Sequence, residues 1–205
     1  MAESNISALE QFALAIDCDE IDLAETALLI ALSEYPDLDV GEERRALDSL
    51  ASGASRRLGQ EREPLAVANA LSEYLFDEVG FRGNREDYYD PRNCFLNEVL
   101  RRRLGIPITL SLVYMEVGKR LGMFFEGVGM PGHFLVRINS GLEDLFIDPF
   151  HRGILLSGEE CAHRLQEVAG TAVPWDRSYL APVSNRELIA RILRNLIAIY
   201  VRRSD

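Results

Sequence analysis

His133 and Asp148 have the residue types and spacing to act together. A turn signal, Asn139-Ser140-Gly141, lies between them, and the flanking stretches His133 to Ile138 and Glu143 to Asp148 read as the two strands of a hairpin. A four-residue loop over Asn139 to Leu142 sets Ile138 opposite Glu143 and, counting back, His133 opposite Asp148. Directly opposed side chains are within reach of each other. A carboxylate placed there would fix the imidazole's tautomer and orientation, as the third member of a catalytic triad does. The plainer alternative is a buried polar pair that satisfies only itself.

Cys94 is the second candidate. Asp90-Pro91 suits the cap and first position of a helix, which puts Cys94 in the first turn, where the dipole and free N–H groups favour a thiolate. By helical angle it lies opposite the stripe Phe95, Leu96, Val99 and Leu100, on the side of Asn97, Glu98 and Arg101. A solitary cysteine is nevertheless more often structural than nucleophilic. A third grouping, His133, Asp148 and His151, offers donors of the kind zinc accepts, but its spacing carries no metal signature, so neither a metal nor another cofactor is expected. Cys18, Cys161 and His163 fall on predicted helices without partners and read as structural.

The elements that must position these groups are mostly helical at first. Ile21 to Tyr35 has Asp22 as cap and Pro36 as stop; Glu42 to Leu58 and Pro64 to Val79 follow. Gly80 to Asn84 breaks the pattern, and Asn84 to Tyr89 reads as an ordered loop. The helix opened by Asp90-Pro91 ends at Gly105. The next, from Pro107 to Leu121, is apolar nearly all round, which marks it as the central buried helix. The period then falls to two: Phe124 to Met130 is a strand, and Pro131-Gly132 a break before the hairpin. Two Ser-x-x-Glu boxes, Ser157/Glu160 and Ser184/Glu187, start later helices. The last runs from Ser184 to about Arg203 with an apolar stripe through Ile192, Leu196 and Ile199. The given sequence shows no partner helix after it, so the stripe should either pack back on the domain or leave Ile192, Leu196 and Ile199 partly exposed as a docking surface for a missing region or a second copy. The fold class is α+β.

Composition narrows the partners. At 205 residues the chain suits one domain with a sizeable core. A net charge of -11 repels a phosphate backbone, so nucleic acid is not an expected partner. Arg101-Arg102-Arg103 is the one dense basic run in mid-chain and reads as a solvated face. No run of apolar residues is long enough to span a membrane, and Met1-Ala2-Glu3-Ser4 has no basic leader region. An odd number of widely spaced cysteines fits reduced thiols and the cytoplasm.

Three blocks carry a resemblance: Gly83-Asn84-Arg85-Glu86-Asp87-Tyr88-Tyr89-Asp90-Pro91-Arg92-Asn93, Arg103-Leu104-Gly105-Ile106-Pro107-Ile108, and Pro131-Gly132-His133-Phe134-Leu135-Val136. With Ile147-Asp148-Pro149-Phe150 and Gly153 they resemble the transglutaminase-like domain of the bacterial SirB family, which also occurs in an F-box protein of animals. The resemblance implies a papain-like fold over residues 1–180, and a C-terminal helix over 181–205 that looks like the start of a tetratricopeptide-type repeat. The wider superfamily sets a Cys at the start of the central helix, with His and Asp on the following strands. His133 and Asp148 match the latter two. The nucleophile's place falls near Pro107 to Ser111, where there is no Cys. Cys94 lies one helix earlier, and the Ser111 hydroxyl would need stronger activation than a thiol.

Two functional readings follow. In one, the domain is catalytically degenerate and uses its old cleft or acidic surface to bind a protein. In the other it is a cysteine-dependent acyl transferase or amide hydrolase. Cys94 would then be nucleophile, His133 base then acid, Asp148 the orienter, and Asn93 or Asn97 oxyanion donors. The missing Cys at the central helix favours the first.

Overall fold

The computed structural model describes residues 7–139, 144–169 and 173–203. Helix α1 (Ala8–Asp17) is closed by a Ser7/Glu10 capping box and lies largely on the surface. Helix α2 (Leu23–Ala31) starts where Asp22 accepts from the Glu25 amide, and nearly every residue in it is buried. Helices α3 (Val40–Leu58) and α4 (Pro64–Ser72) follow, capped by Asp39 and Glu63. The pattern read as one helix from Pro64 to Val79 changes pitch, because Glu73–Glu78 forms a π-helical turn.

The segment around Cys94 departs from expectation. Asp90 does cap, accepting from the Arg92 amide, but what it caps is a single 3-10 turn, Pro91–Asn93. Helix α5 (Leu96–Arg102) starts only at Leu96. It ends at Arg103 in the left-handed region (φ 58°), and Leu104–Gly105 (β2) pairs in parallel with Arg82–Gly83 (β1). Helix α6 (Pro107–Arg120) is the central helix, buried along most of its length. Its Tyr114 hydroxyl donates to Ala68 O at 2.7 Å, so even the polar tip of that buried ring is satisfied.

Strands β3 (Glu126–Val128), β4 (Leu135–Asn139), β5 (Asp144–Asp148) and β6 (Ile154–Leu156) form one antiparallel sheet in sequential order. The period of two sorts their side chains: Val136, Ile138 and Ile147 join the main core with α6, while Leu135, Phe146 and Leu156 join a second cluster with Cys161 and Leu165 of α7 (Gly158–Ala169). The Ser157/Glu160 box starts α7 and the Ser184/Glu187 box starts α8 (Asn185–Arg203), as their spacing predicts. Part of the hairpin turn read over Asn139 to Leu142 lies outside the described residues.

Helix α8 packs back on the domain. Leu188, Ile189, Ile192, Leu196 and Ile199 are buried in the main core, leaving Ile197, Tyr200 and Val201 on the outer side. Asn185 Nδ2 donates to Ile21 O at 2.8 Å, pinning the helix start to the entry of α2. Among the described residues no helix is long and apolar enough to cross a membrane.

Candidate functional site

His133 is delivered by a turn rather than by a strand. Pro131 holds its own φ near the value wanted at the second position of a type II turn, and Gly132 (φ 70°) supplies the positive φ wanted at the third. The His133 amide closes the turn on Met130 O at 3.1 Å. Strand β4 begins two residues later, at Leu135.

The expected register is off by two. Ile138 pairs with Leu145 and Val136 with Ile147, so continuing the ladder sets Leu135, not His133, beside Asp148. An even shift keeps side-chain parity, whereas a shift of one would have sent the two groups to opposite faces. The bond itself is present: His133 Nε2 lies 2.9 Å from Asp148 Oδ2, with both side chains buried.

Asp148 serves more than one donor. The same Oδ2 lies 2.7 Å from His151 Nδ1 and 3.4 Å from Arg164 Nε of α7. Oδ1 accepts from the His151 amide at 3.2 Å, so Asp148 also caps the turn Pro149–His151. Burial alone would raise this carboxyl, but the hydrogen bonds from His133 and His151 outweigh it and hold it far below the usual carboxylate range. An ionised carboxylate only accepts, so His133 presents a proton on Nε2 and His151 one on Nδ1.

The donor atoms of His133, Asp148 and His151 lie within 4.8 Å of one another. Zinc ligands at ordinary bond lengths stand about 3.4 Å apart around a tetrahedral ion. Here both nitrogens sit at hydrogen-bond distance from one oxygen, and a guanidinium adds positive charge beside it. The geometry fits a carboxylate neutralised by hydrogen bonds better than a cation cage.

The other candidates are placed differently. Cys94 follows the 3-10 turn and precedes Phe95, the cap of α5, so it lies outside the first turn of that helix, and it is buried in the main core at 2% exposure. Burial, with the Asp90 carboxylate nearby, pushes its thiol up to about 12, the reverse of an activated thiolate. The Asn93 amide is already engaged: Nδ2 donates to Asp87 O at 2.8 Å and Tyr88 O at 3.2 Å, while Oδ1 accepts from Asn84 Nδ2 at 3.0 Å. It ties the loop read as ordered, and has no donor left for an oxyanion. Asn97 is buried on α5 and Ser111 in the second turn of α6, and among the described residues neither Asn97 Oδ1 nor the Ser111 hydroxyl has a hydrogen-bond partner. Among the described residues neither Cys94 Sγ nor Ser111 Oγ is hydrogen-bonded to His133, whose ring bonds to Asp148.

Within Pro107 to Ser111, the stretch where the resemblance sets a nucleophile, the Thr109 hydroxyl is engaged by backbone. It accepts from the Ile106 amide at 3.1 Å and donates to Asn93 O at 2.7 Å. Rings connect the two corners. Phe150 meets His133 edge-on at 6.2 Å and Tyr88 at 6.0 Å, and it lies against Gly83, where a Cβ would come within 2.5 Å of the ring. Tyr88 in turn adjoins Cys94, and burial pushes its hydroxyl up. Thr109, Arg164 and Arg191 were not visible as site residues in the sequence. Thr109 alone had a local signal, its place three residues after the residue that precedes the helix.

The family whose model matches residues 42–194 is described as the transglutaminase-like superfamily. A UPF0162 protein of Xylella fastidiosa strain 9a5c is 41% identical over 98% of this chain and 72% of its own length. Another UPF0162 protein, from Vibrio cholerae, is 31% identical over 91% of this chain and 69% of its own. The mouse F-box only protein 21 is 33% identical over 65% of this chain, which is 22% of that longer protein. No solved structure matches.

Proposed function

We propose, for a chain that belongs to the transglutaminase-like superfamily and to the UPF0162 family, that it is a catalytically degenerate, protein-binding or regulatory module of the SirB type. The observation that carries this reading is the state of Cys94: it is buried, its thiol is pushed up to about 12, and no hydrogen bond joins it to His133 among the described residues. Thr109 supports it, because its hydroxyl spends the helix start on the backbone of Ile106 and Asn93. The His133–Asp148 pair then acts as a buried polar clasp. We place the protein in the cytoplasm, with a protein rather than a nucleic acid as partner, on its free cysteines and net charge of -11.

The intact His133–Asp148 bond favours a second reading, a cysteine-dependent acyl transferase or amide hydrolase with Cys94 as nucleophile. It requires Cys94 to move within about 3–4 Å of the His133 ring, so that the thiol proton can pass to nitrogen as sulfur attacks a carbonyl. Iodoacetamide labelling of the native protein with peptide mass spectrometry separates the two. Cys18 is exposed and should label first, with Cys94 labelling only on unfolding. Rapid labelling of Cys94 that slows in His133→Ala would overturn the degenerate reading.

A further inference from the structure

We propose that Arg191, on the C-terminal helix, is the positioning residue for His133: its guanidinium staples both ends of the turn that carries the imidazole. Arg191 Nη2 donates to Met130 O at 2.7 Å and to His133 O at 2.7 Å. Those carbonyls belong to the first and last residues of the Met130–His133 turn. Met130 O already accepts from the His133 amide. One side chain therefore reinforces the turn's own bond and fixes the peptide that leaves it, which sets where the His133 Cα–Cβ bond points.

Further observations support a built clamp. The guanidinium lies over the ring of Phe134, 5.5 Å from its centroid, so the residue after His133 is gripped as well. Gly129 leaves the room: a Cβ there would stand 3.0 Å from Arg191 Nη1 and 3.1 Å from Val183 Cγ1. No ion pair joins Arg191 to an acidic side chain among the described residues; its two strong contacts are backbone carbonyls. Burial presses this guanidinium toward its neutral form, an expense that surface arginines avoid. The two N–H bonds of that one planar nitrogen point in fixed directions, which suits two fixed acceptors better than a rotating ammonium does. The contact spans 58 residues of sequence, so α8 is wired to the His133–Asp148 corner directly. This holds whether or not the site performs chemistry.

The test reads the imidazole. In ¹⁵N-labelled protein the His133 ring signals report its tautomer and its bond to Asp148. Arg191→Met should broaden or shift these signals, and the His133 amide should exchange with solvent about tenfold faster. Arg191→Lys keeps the charge but not the fork, and should give a smaller change of the same sign. Gly129→Ala approaches the clamp from the other side and should move the same signals with Arg191 intact. Leu196→Ala, a core change on the same helix, serves as control: it should lower stability and leave the His133 ring signals in place. If Arg191→Met does not fold, Arg191→Lys and Gly129→Ala decide. Ring signals and amide exchange equal to the parent in the folded variants, or equal displacement by Leu196→Ala, would overturn the assignment.

Discussion

Two corners of the molecule meet through Phe150 and Tyr88, and they have been built on opposite plans. At the His133 corner a buried carboxylate gathers two imidazoles and lies near a guanidinium, so polar groups face one another around a buried charge. At the Cys94 corner the thiol lies in an apolar core, and the polar groups around it, Asn93 and Thr109, are turned onto the backbone. The first arrangement is costly unless complete, because each buried partner loses water and needs a replacement. The second tolerates a thiol as a small hydrophobe. The difference teaches that a buried polar pair has to be completed by its neighbours, whereas a buried thiol needs no partner.

The comparison breaks most sharply at Asp148. Asp148→Ala removes the shared acceptor and strands His133, His151 and Arg164, so urea unfolding should show a loss of about 3–5 kcal/mol. In the parent the carboxyl is depressed in the folded state, so its contribution is present above the unfolded value of about 4 and is lost as the pH falls below it. The acid limb of the parent's stability curve should therefore be steeper than that of Asp148→Asn; equal slopes would mean the carboxylate is not so held. Cys94→Ser should cost about 1–3 kcal/mol, since a hydroxyl in that apolar site needs a partner. A cost near zero would mean the site is wetter and more polar than its burial indicates. Thr109→Val keeps the shape and removes the links to Ile106 and Asn93, for an expected loss of about 1–2 kcal/mol by thermal or urea unfolding.

How much of this was legible depends on how local the cause is. The central helix follows from apolar residues on every side, and the Asp22 cap and both Ser-x-x-Glu boxes from side chains that act within three residues. The His133–Asp148 bond was legible through parity, even though the register was two residues out and His133 stands in a turn. Cys94 was misplaced because Asp90 capping looks the same in sequence whether a 3-10 turn or an α-helix follows. Its burial depends on elements that no local pattern specifies. Arg164 and Arg191 reach the corner from helices late in the chain, and an arginine on an amphipathic helix reads as solvated until its target is known.

Helix α8 also closes the fold from a distance. Its Asn185 reaches Ile21 across 164 residues, and its stripe shares the core with nearly buried α2. Helix α2 also packs against α3, α5 and α6, so during synthesis it is the part of its face turned to α8 that waits for nearly all the intervening chain. Contacts of such sequence separation form late, because loop closure must precede them. Until α8 docks, the apolar residues it covers stay open, and that interval is when chaperones or aggregation compete for the nascent chain.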